Sequence, residues 1–200
     1  MNTFDPITHT FRINGVPVPS VTQALKAADI IDDRFYTDEA RERGIAVHAA
    51  CHYLDEECLD WETVAPEIVP YVEAYQRFKD ESGFVPALIE EPVFNTQYFY
   101  GGILDRTGLL NGQAVLLDLK SGDPEPWANL QTAGYWGCLT QRHARYTLRL
   151  YPEGRYKLSN VHADPNDFRV FLSAVSIAHW KRNTGGESYE RSSPEISRVA

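Results

Sequence analysis

The sequence predicts one α/β (α+β) domain with a central mixed sheet of four to five strands, flanked by helices and preceded by an N-terminal helical segment. Apolar residues recur at helical spacing up to about residue 81, and they alternate with polar residues from residue 87 onward. The 200 residues are 43% apolar and 24% charged, which is sufficient for one hydrophobic core. We therefore expect residues 1–184 to form a single domain and the polar residues 185–200 to form a flexible tail.

The N-terminal part is expected to contain two short strands and three helices. In FRINGVPV, the pair Asn14-Gly15 favours a turn between the two strands. The segment Ser20-Val-Thr-Gln23 is a capping box, which predicts a helix to about residue 28. Longer helical patterns run from residue 37 to about residue 59 and from about residue 66 to residue 81, and Gly83 ends the second.

The remaining chain is expected to alternate between strands and helices. Alternating runs at 87–94, 98–109 and 114–119 predict three strands. They are followed by a helix at 127–141 and a hairpin of strands 145–151 and 156–161. The segment Asp164-Pro165-Asn-Asp167 is typical of a helix N-terminus, and the last helix should reach about residue 182.

Composition argues against several classes of protein. No apolar run approaches the ~20 residues that span a bilayer, and the N-terminus lacks the basic-then-apolar form of a secretory signal. We therefore expect a cytoplasmic protein with no membrane partner. The three cysteines, Cys51, Cys58 and Cys138, contain no CxxC pair, which argues against a disulfide framework and against a cysteine-only zinc or iron–sulfur site.

The segment VLLDLKSG places charged side chains on one face of a predicted strand. Asn111-Gly112 favours a two-residue hairpin turn, and that turn would place Asp105 directly opposite Asp118. Two carboxylates at ~5 Å repel by about 3 kcal/mol at an effective dielectric constant of ~20, whereas a favourable cross-strand pair supplies only ~0.2–1 kcal/mol. The pair is therefore tolerated only if a cation lies between the carboxylates, one of them is protonated, or both turn into water. A divalent cation would remove this conflict.

A solvated strand face is the alternative reading of the same residues. Asp105, Asp118 and Lys120 would then form an exposed ion cluster of little energetic consequence. The preceding Gly101-Gly102 favours the first reading, because glycines allow another backbone or a ligand to approach the strand closely.

The order of these motifs resembles that of the PD-(D/E)XK nuclease superfamily, in its RecB-type and phage-type exonuclease branch. The matching segments are RGIAVHAA, GGILDR, LLDLKSG and LQTAGYW, and the resemblance covers roughly residues 16–150. It implies a restriction-endonuclease-like core and a Mg²⁺- or Mn²⁺-dependent DNA exonuclease without an iron–sulfur cluster, in a bacterial or phage-infected cell. The substrate would be single- or double-stranded DNA, attacked at its ends.

The resemblance also assigns roles to particular residues. It implies that the metal is held by His48, Asp105, Asp118 and the backbone carbonyl of Leu119, with Glu90 as a further candidate. It implies that the catalytic residues are Asp105, Asp118, Lys120, Gln131 and Tyr135, of which Gln131 and Tyr135 would also contact DNA. Glu90 and Glu91 alternate across a strand, so only one of them can face the metal, and the resemblance favours Glu90.

An acidic protein that binds DNA needs a local basic surface, since phosphate contacts come from lysine and arginine. The net charge is −9, yet residues 127–160 contain five bases and one acid. We expect Arg142, Arg145 and Arg149 to line the DNA path, although an ordinary solvated hairpin face would have the same composition. The acidic N-terminal half could bind a basic protein, such as a recombination or single-strand-binding protein.

Other functions are compatible with parts of this pattern. A structure-specific endonuclease would have the same motifs, and a non-catalytic DNA-end-binding module should lack at least one metal ligand. A sugar hydrolase with paired carboxylates is less compatible with the adjacent Lys120. His48 and His52 have the spacing of a zinc pair, but the sequence offers no evident third ligand.

Overall fold

The computed structural model describes residues 1–32 and 37–185. Its strands are β1 (Asn2–Asp5), β2 (Thr10–Ile13), β3 (Val16–Val18), β4 (Val85–Asn95), β5 (Tyr100–Leu110), β6 (Gln113–Lys120), β7 (Ala144–Leu150) and β8 (Tyr156–Leu158). Its helices are α1 (Val21–Ala27), α2 (Asp38–Asp55), α3 (Val69–Ser82), α4 (Ala128–Trp136) and α5 (Asn166–Gly185), with a short 3₁₀ helix at Trp61–Thr63. The predicted tail, beyond Gly185, lies outside the described residues.

The main sheet has five strands in the order β4-β5-β6-β7-β8. Strands β6 and β7 are parallel and the other neighbours are antiparallel, so the sheet is mixed as predicted. The parallel pair requires a crossover connection, and α4 provides it. The Asn111-Gly112 turn has the positive φ angles of a tight hairpin, and the register on its strands matches the prediction, with Leu110 opposite Gln113.

Helices cover both faces of this sheet. Helices α2 and α3 pack on one face through a cluster that includes Val47, Val72 and Phe78. Helices α1, α4 and α5 pack on the other face through a cluster that includes Val21 and Phe171. Alternate residues of β6 divide between the two clusters: Val115, Leu117 and Leu119 belong to the first, and Leu116 belongs to the second.

A separate three-stranded antiparallel sheet, β1-β2-β3, precedes the main sheet. Strands β2 and β3 and their Asn14-Gly15 turn were predicted, whereas β1 was not. Phe11, Ile13 and Val18 form a small core between this sheet and Phe94 of β4. The predicted capping box starts α1: Gln23 N–H donates to Ser20 Oγ at 3.1 Å, and Ser20 N–H donates to Gln23 Oε1 at 2.8 Å.

The two glycines that precede Asp105 lie where other elements approach β5 closely. A Cβ atom on Gly101 would lie 2.7 Å from the Phe11 ring, and one on Gly102 would lie 2.7 Å from the Tyr135 ring. These glycines therefore allow β2 and α4 to pack directly on β5. The contact with Tyr135 positions α4 beside the charged end of β6.

Candidate metal centre and active site

The predicted site residues come from five elements that meet at the C-terminal end of β6. They are His48 of α2, Glu90 of β4, Asp105 of β5, Asp118, Leu119 and Lys120 of β6, and Gln131 and Tyr135 of α4. All eight residues are buried or half-buried, and their ionisable side chains influence one another electrostatically. The fold therefore brings together residues that are up to 87 positions apart in sequence.

Three side chains form a group with metal-binding geometry. His48, Glu90 and Asp105 each offer one ligand atom, and these atoms lie within 4.8 Å of one another. His48 Nδ1 lies 3.2 Å from Glu90 Oε1 and 3.7 Å from Asp105 Oδ1, and its Nε2 lies 3.2 Å from the carbonyl oxygen of Leu119. One imidazole thus contacts three oxygen atoms of the kind that bind Mg²⁺ or Mn²⁺.

The metal-free site favours the protonated form of His48. Burial disfavours the imidazolium, but the carboxylates of Asp105 and Glu90 outweigh that effect and raise the pKa of His48 to about 9. The same contacts act on Glu90: although burial opposes it, His48 and Arg106 lower the pKa of Glu90 below its usual value. A protonated His48 therefore compensates the negative charge of this group.

The structure distinguishes between the two adjacent glutamates. Glu90 points toward His48, whereas Glu91 is exposed. Glu90 has a φ of +49°, a left-handed conformation that costs a residue with a side chain about 1–3 kcal/mol. Such strain is typical of functional positions, because the surrounding contacts must maintain it.

Asp105 and Asp118 are not a directly opposed pair, which corrects the register expected at this point. The β5–β6 ladder ends at Arg106 and Leu117, and Asp105 Oδ2 instead accepts a hydrogen bond from the Leu119 N–H at 2.7 Å. Residues two apart in a regular strand lie on the same face of the sheet, but here they lie on opposite faces. Leu104 packs in the cluster with α1, α4 and α5, whereas Arg106 reaches the face covered by α2 and α3. Regular alternation along β5, on which the prediction depended, is therefore interrupted at Asp105.

Asp118 is a buried carboxylate whose oxygens lack hydrogen bonds from the described residues. Its side chain is 1% exposed, and neither carboxylate oxygen accepts a hydrogen bond from the residues that the structure describes, although the Lys120 ammonium lies 3.1 Å from Oδ2 as an ion pair. Burial raises the pKa of Asp118 to about 7, against the opposing effect of Lys120. Buried oxygens without hydrogen bonds are uncommon, and a divalent ion would satisfy them. The residues present therefore fit the metal that the motif implies.

Lys120 is held by a chain of polar contacts. Its ammonium donates to Gln131 Oε1 at 2.9 Å, and Gln131 Nε2 donates to the Tyr135 hydroxyl at 3.1 Å. Burial disfavours the ammonium, but Asp118 and Glu125 raise the pKa of Lys120 above its usual value, so it stays charged. Both ends of the Gln131 amide are used inside the protein.

Sequence reasoning missed three residues around this site. Arg106 is fully buried, and it donates to Glu90 Oε1 at 2.9 Å and to Asp55 Oδ2 at 2.6 Å. Trp127 places its ring 5.4 Å from the Lys120 ammonium, and Glu125 lies 3.5 Å from it. The Asp-Arg pair in GGILDR was visible in the sequence, but the partners of the arginine were not.

Two of the three predicted DNA-binding arginines are buried in the protein, which corrects their expected role. Arg145 is 8% exposed, and its guanidinium pairs with Asp167 Oδ2 at 2.8 Å. Arg149 is also 8% exposed and donates to the carbonyl of Gly122, which anchors the segment after Lys120. Because both side chains are buried and bond to the protein itself, they do not offer an exposed basic surface. Arg142 is exposed.

Comparisons with known proteins identify similar folds. No protein-family model matches the chain, and no curated protein matches it. A solved structure of an alkaline exonuclease (LHK-Exo) from Laribacter hongkongensis is similar, with 16% identity over 82% of this chain and 92% of that chain and a TM-score of 0.39. The structure of LHK-Exo in complex with dAMP is also similar, with 17% identity, the same coverage and a TM-score of 0.43.

Both structures are of LHK-Exo, which is described as an alkaline exonuclease. Among the described residues, no helix is both long and apolar enough to span a membrane.

Proposed function

We propose that the protein is a metal-dependent deoxyribonuclease of the PD-(D/E)XK superfamily, and that it acts as an exonuclease on DNA. The observation that supports this most directly is the buried Asp118 carboxylate, whose only partner among the described residues is the Lys120 ammonium at 3.1 Å, next to the group of His48, Glu90 and Asp105. Mg²⁺ or Mn²⁺ held by these side chains and the Leu119 carbonyl would lower the pKa of a bound water and offset charge that develops on the phosphate.

The protein's own residues would perform the other tasks of phosphodiester hydrolysis. The Lys120 ammonium stays charged, so we assign it to stabilise negative charge on the attacked phosphate and to position the water. Asp118 and Gln131 fix the position of that ammonium from two sides. Tyr135 fixes the Gln131 amide in turn, so Gln131 and Tyr135 act through Lys120.

Arg106 would position a ligand of the metal. It is buried beneath Glu90 and also donates to the backbone carbonyl of Asp105 at 2.7 Å. Since two ligand residues contact one guanidinium, their spacing depends on Arg106. We therefore assign it a positioning role.

Cleavage of end-labelled linear DNA and closed circular DNA tests this function. We expect the wild-type protein to degrade the linear DNA with Mg²⁺ or Mn²⁺ and to be inactive in EDTA. Asp118→Asn and Lys120→Met should each lower the rate at least about 100-fold, since the first weakens a proposed metal ligand and the second removes the cation at the reacting phosphate. Asp123→Asn, which changes an exposed carboxylate three residues beyond Lys120, is the matched control.

The outcomes separate the alternatives. Cleavage of circular DNA would identify an endonuclease of the same fold. Binding of DNA ends without any cleavage would identify a non-catalytic module. Equal cleavage by Asp118→Asn and the wild type would refute the proposed metal site.

A further inference from the structure

A cavity of about 740 Å³ opens beside the proposed metal site, between α2 and the segment that follows β6. The two walls approach closely at Gly44, where an added Cβ atom would lie 3.9 Å from Ser121 Oγ. One turn further along α2, His48 contacts the Leu119 carbonyl. The cavity is therefore continuous with the reacting centre. Its volume lies within the ~300–1,000 Å³ range of small-ligand sites, which suits a few nucleotides rather than a duplex.

Part of the α2 wall is an exposed apolar stripe. Ile45, Ala49 and Tyr53 are spaced four residues apart, so they lie on one face of the helix, and all three line the cavity. Ile45 is 66% exposed and Tyr53 is 52% exposed. The His52 ring meets the Tyr53 ring edge-on at 5.8 Å and supports it from the side. We call these three residues the α2 stripe.

Positive charge lies at the N-terminal end of the α2 stripe. Arg41 and Arg43 both line the cavity. Arg41 pairs with the exposed Asp38, but Arg43 Nε is buried and has no hydrogen-bond partner in the described part of the chain. A guanidinium donor buried without an acceptor favours an anion, and phosphate matches its planar geometry. The cavity thus combines an apolar wall, an arginine with a donor unpaired among the described residues and the Lys120 ammonium, and the carboxylates of Glu90 and Glu125 lie at its end beside the proposed metal site.

We propose that the α2 stripe binds a single-stranded segment of DNA next to the reacting centre. The bases lie against Tyr53, Ala49 and Ile45, and Arg43 binds a phosphate of the same strand. Ile45 and Tyr53 are eight positions apart, about 12 Å along the helix, a length that a few nucleotides of one strand can span. Bases paired in a duplex do not offer their faces to such a wall, whereas unpaired bases stack readily on aromatic side chains. This inference rests on the proposed function and specifies its substrate as an unpaired strand.

Fluorescence anisotropy with a labelled oligothymidylate, measured in EDTA so that no cleavage occurs, tests the proposal. Tyr53→Ala should weaken binding about 5- to 100-fold, the effect typical of one lost stacking contact. Tyr53→Trp should retain the wild-type affinity or bind more tightly, which excludes misfolding as the cause. Trp180→Ala is the matched control, because Trp180 is an aromatic residue of α5 that is 64% exposed and lies outside the cavity.

Two further measurements complete the test. Arg43→Gln should flatten the salt dependence of binding by about one phosphate contact. An unlabelled single strand should compete at least about tenfold better than a duplex of the same sequence. Wild-type affinity in both Tyr53→Ala and Arg43→Gln, or equal competition by the duplex, would overturn the proposal.

This outcome is separable from that of the proposed function. A wild-type protein that cleaves linear DNA, together with Tyr53→Ala and Arg43→Gln variants that both bind normally, would refute the role of the α2 stripe alone. A wild-type protein that never cleaves DNA would refute the nuclease, while the binding series in EDTA would still decide the role of the stripe.

Discussion

Metal binding by this site should displace protons, and the number displaced should depend on pH. Metal ligands must be deprotonated, so each bound proton reduces the affinity tenfold for every pH unit below the pKa of its group. The pKa of His48 is raised to about 9 by Asp105 and Glu90, which outweigh its burial, and the pKa of Asp118 is raised to about 7 by burial. One proton should therefore leave between pH 9 and 7, and two should leave below pH 7.

The expected change in affinity is large. From pH 9 to pH 7 the affinity for Mg²⁺ should fall about 100-fold, and from pH 7 to pH 6 it should fall about 100-fold again, given pKa values of about 9 and about 7. Isothermal titration calorimetry in buffers of different ionisation enthalpy measures both the affinity and the protons released. In His48→Gln, the metal affinity should no longer change with pH above pH 7, and metal binding should release one proton below pH 7. An affinity that does not change from pH 9 to 6, or a His48→Gln variant with an unchanged profile, would refute this reasoning.

Further predictions concern stability. In the metal-free folded protein, the pKa values of His48 and Asp118 are higher than in the unfolded chain. The stability that these two groups contribute is therefore present at low pH and is lost as the pH rises to 9. Thermal unfolding in EDTA should show a Tm that falls from pH 6 to pH 9, and a rising Tm would contradict this. Gly102→Ala should destabilise the protein by about 1–3 kcal/mol, because its Cβ would meet the Tyr135 ring at 2.7 Å, whereas a Cβ on Gly122 would have no atom of the described residues within 4 Å. Equal urea midpoints for Gly102→Ala and Gly122→Ala would contradict the close packing at Gly102. Arg106→Met should cost about 3–5 kcal/mol, as is usual when one partner of a buried ion pair is removed; Lys79→Met removes a partly exposed partner of the same carboxylate, and an equal or greater cost there would refute the central role of Arg106.

Local signals in the sequence were sufficient for most of the fold. The turns at Asn14-Gly15 and Asn111-Gly112 and the capping box at Ser20 depend on a few adjacent residues, and each forms as expected. Strand β1 was missed because Asn2–Asp5 has a single large apolar residue, Phe4, and no alternating pattern. Helix α4 ends at Trp136, five residues before the predicted end.

The site was less predictable, because its geometry depends on contacts between distant residues. The register from the hairpin turn was right as far as Arg106, but no turn can reveal that β5 changes its facing at Asp105. Likewise, the sequence around Arg145 does not reveal whether its guanidinium faces DNA or a carboxylate elsewhere in the chain. In the structure it pairs with Asp167, 22 residues away. Charge patterns show how many cations a segment contains, and only packing shows which are available.

The hydrogen bond from the Leu119 amide to the Asp105 carboxylate means that the Asp105 side chain has two roles. Asp105 is at once a candidate ligand and a substitute for the missing rung of the backbone ladder. An alanine at position 105 would leave a buried amide without an acceptor, at a cost of about 1–3 kcal/mol, besides deleting the ligand. A loss of activity in that variant would have two causes that cannot be separated, the missing ligand and partial unfolding at the end of the sheet. Asparagine retains an oxygen for the amide while it removes the charge, so Asp105→Asn is the substitution that isolates the chemistry.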